Sequence, residues 1–276
     1  ERLIQLIEQD PGFAGSYDQM AELKGSQDLY GEELYWIHKA QALDPGNISY
    51  MIYEMWPTLR IGNTDDVTRL VDRMTVRDPN TSNQSFLEIW ANIYKDNYDA
   101  ALESARTFYQ KVGSNPRARR LEFVVQNLRE DYAGAREASE AALPEFYLQS
   151  SWQKVLQGDT VNGCLIAWVM THTNDEEMGR DLASEAIAQF NNALPGSGDS
   201  GHAGMGICYM VLDRPDDALN IIEEAHQLIR FWWLAKKHPA YKLLKHEPRF
   251  QVIDAKIQEL AATQRENLRR LEAEEG

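Results

Sequence analysis

The chain has 276 residues, 43% of them hydrophobic and 26% charged, with a formal net charge of −15. Such an acidic surface repels phosphate, which excludes nucleic acid and anionic membrane as principal partners. No apolar run approaches the ~18 residues that cross a bilayer, and an opening at Glu1 without a signal-like segment reads as an excised fragment.

Residues 1–9 read as the tail of a helical unit. A period then appears in the turns, where Asp10-Pro11, Asp44-Pro45 and Asp78-Pro79 recur every 34 residues. Proline just past a helix end cannot continue it, so each pair marks where one unit hands over to the next. The same interval separates Ala40, Met74, Phe108 and Ala142, and also Val67, Ala101 and Ala135. Three ladders in one register predict stacked helix pairs. The first unit, Phe13 to Pro45, places Tyr17 and Met20 in its first helix and Ile37 and Ala40 in its second. The second runs to Pro79 and turns at Gly62-Asn63-Thr64-Asp65-Asp66. It carries Pro57, which is expected to kink or shorten its first helix. The third and fourth turn at Lys95-Asp96-Asn97 and Glu130-Asp131, followed by Tyr98 and Tyr132.

After Pro144 the register fails. Residues 145–159 hold Trp152 and Leu156 but no paired second helix, so a change of path is expected there. Pairing resumes over residues 160–172 and 175–193, and Gly196 to Gly201 reads as a loop. His202, Met205, Gly206 and Tyr209 follow at helix-opening spacing, with Ala218, Ile222 and Ala225 behind them. Gly206, Ala218 and Ala225 are expected to let helices approach closely, while Met205, Tyr209 and Ile222 fill the seam. Phe231-Trp232-Trp233-Leu234 is too apolar for water and is expected to cap the core. Pro239 and Pro248 bracket a short helix. From Arg249 a long helix carries Phe250, Ile253, Ile257, Leu260, Gln264, Leu268 and Leu271 at spacings of three and four. That seam suits an amphipathic helix capping the last unit, or a dimerising coil.

The pattern around Gly206, with its interval of 34, resembles the tetratricopeptide repeat (TPR). The resemblance implies an all-α, right-handed TPR-type α-solenoid of about six helix pairs with a C-terminal capping helix. We divide it into an N-terminal sub-array of about four repeats over 1–144, a second TPR-like sub-array over 145–230, and a capping segment with a long helix over 231–276. The ending resembles something more specific. His238-Pro239-Ala240-Tyr241, Leu243-Leu244, Glu247-Pro248-Arg249-Phe250 and Gln264-Arg265 are similar to the close of the TPR regions in bacterial membrane-anchored winged-helix regulators and TPR-bearing adenylate cyclases. That resemblance implies a bacterial regulatory arm on the periplasmic side of the inner membrane, with the cytoplasm as the other compartment in view. It assigns neither DNA binding nor cyclase chemistry to these residues.

No catalytic, metal or cofactor site is expected. The six histidines form no HExxH pair, and the Gly196 to Gly206 loop lacks the Gly-Lys-Ser/Thr ending of a phosphate cradle. Asp213, Asp216 and Asp217 lack the glycine and closing glutamate of a calcium loop. Cys164 and Cys208 read as small buried helical residues, with a bridge between them left open. The expected binding surface is the concave wall of first helices. It presents Ile52, Trp56 and Arg60 from the second unit, Phe86, Trp90 and Tyr94 from the third, and Arg117, Arg120 and Asn127 from the fourth. Aromatics and arginine dominate interface energetics, so this wall is expected to take a protein or peptide without catalysis. Asp18 and Glu22 stand where a chaperone-tail clamp needs basic and amide residues, which argues against that ligand. Two other readings are self-association through the C-terminal helix, giving a homodimer that signals to an output domain, and a small-molecule sensor pocket near 145–160.

Overall fold

A computed structural model describes residues 2–62, 64–113, 115–192, 201–224 and 229–274. Helix α1 (Arg2–Gln9) leads into four helix pairs: α2 (Ala14–Ser26) with α3 (Tyr30–Leu43), α4 (Ile48–Ile61) with α5 (Thr64–Arg77), α6 (Ser82–Tyr94) with α7 (Tyr98–Val112), and α8 (Pro116–Leu128) with α9 (Tyr132–Ala142). Two 3₁₀ turns and the one-turn α10 (Trp152–Val155) follow. Two more pairs come next, α11 (Thr160–Thr171) with α12 (Glu176–Asn192) and α13 (Gly201–Val211) with α14 (Pro215–Glu224). The chain ends with α15 (Ile229–Ala235), α16 (Pro239–Lys242) and α17 (Pro248–Ala273). Among the described residues every regular element is helical, and the stack is a TPR-type α-solenoid.

The ladders read from sequence are seams. Ala40, Met74, Ala101 and Ala135 are fully buried, Val67 and Ala142 nearly so, and Phe108 packs half-buried against the cluster that holds Val67, Met74 and Ala101. A fourth ladder lies in the backbone. The turn between the two helices of each of the first four units passes through a residue at positive φ: Asp28, Gly62, Asp96 and Glu130, again 34 apart. Such φ values end a helix by the left-handed cap and are rare outside glycine. Side chains secure two of these turns, since Tyr30 and Tyr98 each donate from the hydroxyl to the aspartate two residues earlier.

Pro57 does not shorten its helix: α4 keeps 14 residues, the same as α3 and α5. The break after Pro144 is real. Phe146, Trp152 and Leu156 turn inward there, and the Trp152 indole N–H donates to the Phe146 carbonyl at 2.8 Å. Cys164 on α11 and Cys208 on α13 form a disulfide with Cα atoms 4.8 Å apart, which closes the question left by the sequence and ties the fifth unit to the sixth. Met205 and Ala218 are fully buried as expected. Gly206 makes room for a different neighbour, because a Cβ there would stand 2.0 Å from the Tyr241 hydroxyl of α16. Ala225, the loop residues 196–200 and the side chain of Phe231 lie outside the described residues.

The C-terminal helix caps the array in an unexpected way. At its start Arg249 pairs with Glu223 of α14 at 2.7 Å, on the last unit. Its later turns lie on α3 and α4, in the first two units. A helix of 26 residues spans about 39 Å, enough to run back across the stack. Phe250, Ile253, Ile257 and Ala261 are buried within the chain, so the apolar seam is occupied intramolecularly, while Leu260 stays half exposed. Tyr30 and Ile61 therefore share one core with Trp232, Tyr241 and Phe250.

Candidate functional site

The first helices α4, α6, α8, α11 and α13 form one face, and the chain's own segment from Trp232 to Lys242 lies on it. Trp233 is buried, its ring centre 6.0 Å from Trp90 edge-on and 6.0 Å from Tyr94. Farther along, His238 meets Asn127 of α8 at 3.2 Å and the Trp168 ring of α11 at 5.6 Å between centres. Desolvation explains why this segment stays: Trp232, Tyr241 and Ala240 are essentially inaccessible, and a buried large apolar side chain contributes roughly 1.5–3 kcal/mol.

The rim of this face is the ladder of left-handed turns, and each turn is met by a polar side chain from the C-terminal segment. Lys242 reaches Glu130 at 3.0 Å and Lys237 reaches Asp96 at 2.6 Å. The Arg265 guanidinium donates to the Ile61 carbonyl beside Gly62. Gln264 donates to the Asp28 carbonyl at 3.1 Å while its own oxygen accepts the Gly31 N–H at 3.0 Å. Carbonyls near a helix end lack intrahelical partners, which makes these turns natural acceptors. Burial works against the Asp96 carboxylate, but the Lys237 ammonium and the Tyr98 hydroxyl hold it below its usual range. The Gln264-Arg265 pair singled out in the sequence is thus the clasp of α17 on the first two units.

A second clasp involves charge. Glu54 on α4 is 6% exposed and accepts from Gln41 at 2.7 Å and Arg73 at 2.9 Å. His38 on α3 stands 3.6 Å from that carboxylate and 2.9 Å from Glu272 of α17. Burial alone would lower the His38 pKa, but the two carboxylates outweigh it and raise it. Burial likewise opposes ionisation of Glu54, and the His38 and Gln41 hydrogen bonds with Arg73 lower its pKa.

The residues expected on the wall divide into three groups. Trp56, Phe86 and Trp90 come together, with Trp56 to Trp90 at 5.2 Å, Phe86 to Trp90 at 6.2 Å and Phe86 to Trp56 at 6.3 Å between centres. Trp90 is 8% exposed, whereas Ile52, Trp56 and Phe86 are half-buried. Tyr94 and Asn127 contact that segment directly. The arginines turn aside: Arg60 lies over the Tyr30 ring at 4.8 Å and 3.5 Å from Glu33, and Arg120 pairs with Asp159 at 3.8 Å. The side chain of Arg117 lies outside the described residues. Sequence reasoning placed Trp233 in the core and His238 in the C-terminal motif but set neither of them, nor Lys237 and Lys242, on this wall, because their partners are more than 100 positions away; the repeating turn residues were the available signal.

No known family profile and no curated protein matches the chain. Similar solved structures include the crystal structure of MamA protein, at 12% identity over 81% of this chain and 93% of that one, with a TM-score of 0.36. The Cut9-Hcn1 hetero-tetramer of APC/C matches at 14% identity, 88% of this chain and a TM-score of 0.40. Naa15/Naa10 bound to HypK-THB matches at 14% identity, 91% of this chain and a TM-score of 0.40. The chain spans 50% and 39% of the matched chains in these last two. No described helix is long and apolar enough to cross a membrane.

Proposed function

We propose that this chain is a non-catalytic protein-interaction module whose open strip at Ile52, Trp56 and Phe86 takes a basic, aromatic-bearing peptide segment of a partner. The supporting observation is the way the chain's own C-terminal segment lies on the same face. That segment presents a tryptophan to Trp90 and lysines to the acidic turns at Asp96 and Glu130. Trp56 is the equivalent of Trp90 one repeat earlier and has no such ring from the C-terminal segment among its described contacts. The net charge of −15 favours association with a basic segment.

The deciding experiment titrates the intact chain with short peptides that pair tryptophan with lysine, and with counterparts that replace lysine by glutamate. Binding is expected for the lysine series alone, to weaken with added salt, and to fall about 10-fold or more in Trp56→Ala. Equal binding of both series, or an unaffected Trp56→Ala, would show that the strip is not the site.

The C-terminal resemblance supports reading the module as an arm of a larger bacterial regulator. The Cys164–Cys208 disulfide favours the periplasmic side over the cytoplasm, because such bridges persist in oxidising compartments. Alkylating free thiols in cells before denaturation tests this. Cysteines that label without prior reduction would place the chain in a reducing compartment.

A further inference from the structure

Between α5 and the C-terminal half of α17, beside the His38 clasp, lies a cleft of 500 Å³. Four of its twelve lining residues are arginines, although Lys and Arg together supply only 28 of the chain's 276 residues. Arg69 and Arg73 stand on α5, Arg265 and Arg269 on α17. Residues four apart share one helix face, so each helix presents a pair of guanidinium groups to the cleft. Like charges at that spacing destabilise a helix, and the fold does this twice at one place.

The carboxylates around the cleft are already engaged. Glu54 accepts from Gln41 and Arg73, Asp66 pairs with Arg69, and Glu272 meets His38 at 2.9 Å. The arginines keep donors in reserve, because a guanidinium has five N–H groups. Arg73 commits one to Glu54 and one to Gln41, each at 2.9 Å. Arg265 gives one to the Ile61 carbonyl and Arg69 one to Asp66. Arg269 is exposed and has no hydrogen-bond or ion-pair partner among the described residues. The Arg69 and Arg73 side chains are 68% and 42% exposed, so a molecule in the cleft reaches their remaining donors directly.

What the cleft lacks is therefore an anionic acceptor, and the two walls decide its shape. A carboxylate is planar and matches one guanidinium fork, whereas phosphate oxygens diverge and accept from forks on opposite sides. The net charge of −15 opposes any anion, but exposed charges more than about 10 Å away are largely screened at physiological salt. Within the cleft the arginines outnumber the three carboxylates. Its volume falls in the range of small-molecule pockets, about 300–1,000 Å³. We propose that this cleft binds a small phosphate-bearing molecule between Arg69 and Arg73 on one wall and Arg265 and Arg269 on the other, and that the bound anion braces α17 against the second unit.

The test titrates the intact chain with pyrophosphate, against sodium chloride at matched ionic strength. Calorimetry is expected to show saturable one-to-one binding of pyrophosphate and none of chloride. Hydrogen exchange from Gln264 to Glu272 should slow on saturation, while α11 to α13 stay unchanged. Arg269→Gln removes a guanidinium without a partner among the described residues, and Arg69→Gln breaks an exposed pair of the kind that contributes little to stability. Each should weaken binding about tenfold, the loss of one charge-assisted hydrogen bond. Arg180→Gln changes the net charge equally but lies on α12, and it should bind as the unaltered chain does. Pyrophosphate that binds no better than chloride would overturn the proposal. So would an affinity that is unchanged when Arg69→Gln and Arg269→Gln are combined. A loss as large in Arg180→Gln would also overturn it, since the attraction would then follow net charge alone.

Discussion

Gly206 shows how a single residue carries information that a repeat pattern only partly exposes. The TPR-like pattern places a small residue there to admit the second helix of the same unit. The space it leaves is taken instead by Tyr241, which is completely buried and whose burial pushes its hydroxyl pKa upward. An added methyl would lie 2.0 Å from that hydroxyl, and the ring has no solvent-filled side to move into. Overpacking of this kind costs about 1–3 kcal/mol. Gly206→Ala should therefore lower stability by that amount in chemical denaturation. It should also raise hydrogen exchange in α16, because the ring carries that helix with it. A stability loss confined to α13 and α14 would mean that the glycine serves its own unit after all.

Elements were legible where their packing repeats. Ala40, Met74, Phe108 and Ala142 stand on the second helices of successive units 34 residues apart, so one physical constraint writes itself at a fixed interval. The break at Pro144 was legible for the converse reason, since Trp152 and Leu156 have no counterparts in the ladder. The destination of α17 was not. Its clasp is made by Gln264 with Gly31, 233 positions apart, and no local pattern records so distant a neighbour. Likewise Trp90, Tyr94 and Asn127 were recognisable as wall residues, but the occupant of the wall belongs to the same chain. The His38 clasp gives α17 a pH dependence with a definite sign. A histidine whose folded pKa is raised contributes stability that is complete below its unfolded value near 6.5 and is lost as pH rises through the folded value. Protection of the amides in the last turns of α17, around Glu272, taken relative to their intrinsic base-catalysed exchange rates at each pH, should accordingly fall from mildly acidic to mildly alkaline pH. In His38→Gln that trend should flatten, while exchange near Phe250 stays unchanged. A trend that persists without His38 would assign it to another group.

At the scale of the whole molecule the array is closed. An open solenoid passes stability only between neighbouring units, so its ends fray first. Here α17 connects the sixth unit, through Arg249 with Glu223, to the first and second, through Gln264, Arg265 and Glu272. Closure also explains why Gly31 is required. A Cβ there would stand 2.2 Å from the Gln264 carbonyl, which is backbone and cannot swing aside. Gly31→Ala should thus lift the second half of α17 without disturbing the α2–α3 pairing itself. The measurable result is faster hydrogen exchange in two places distant in sequence, the turns around Gln264 and the first turn of α3, with α9 to α14 unaffected. The melting midpoint should fall by less than in Gly206→Ala, because the residues from Gln264 onward bury fewer large side chains than α16 does. If exchange rose only within α3, the helix would be lying on the first units without bracing them, and the ring would be open in solution.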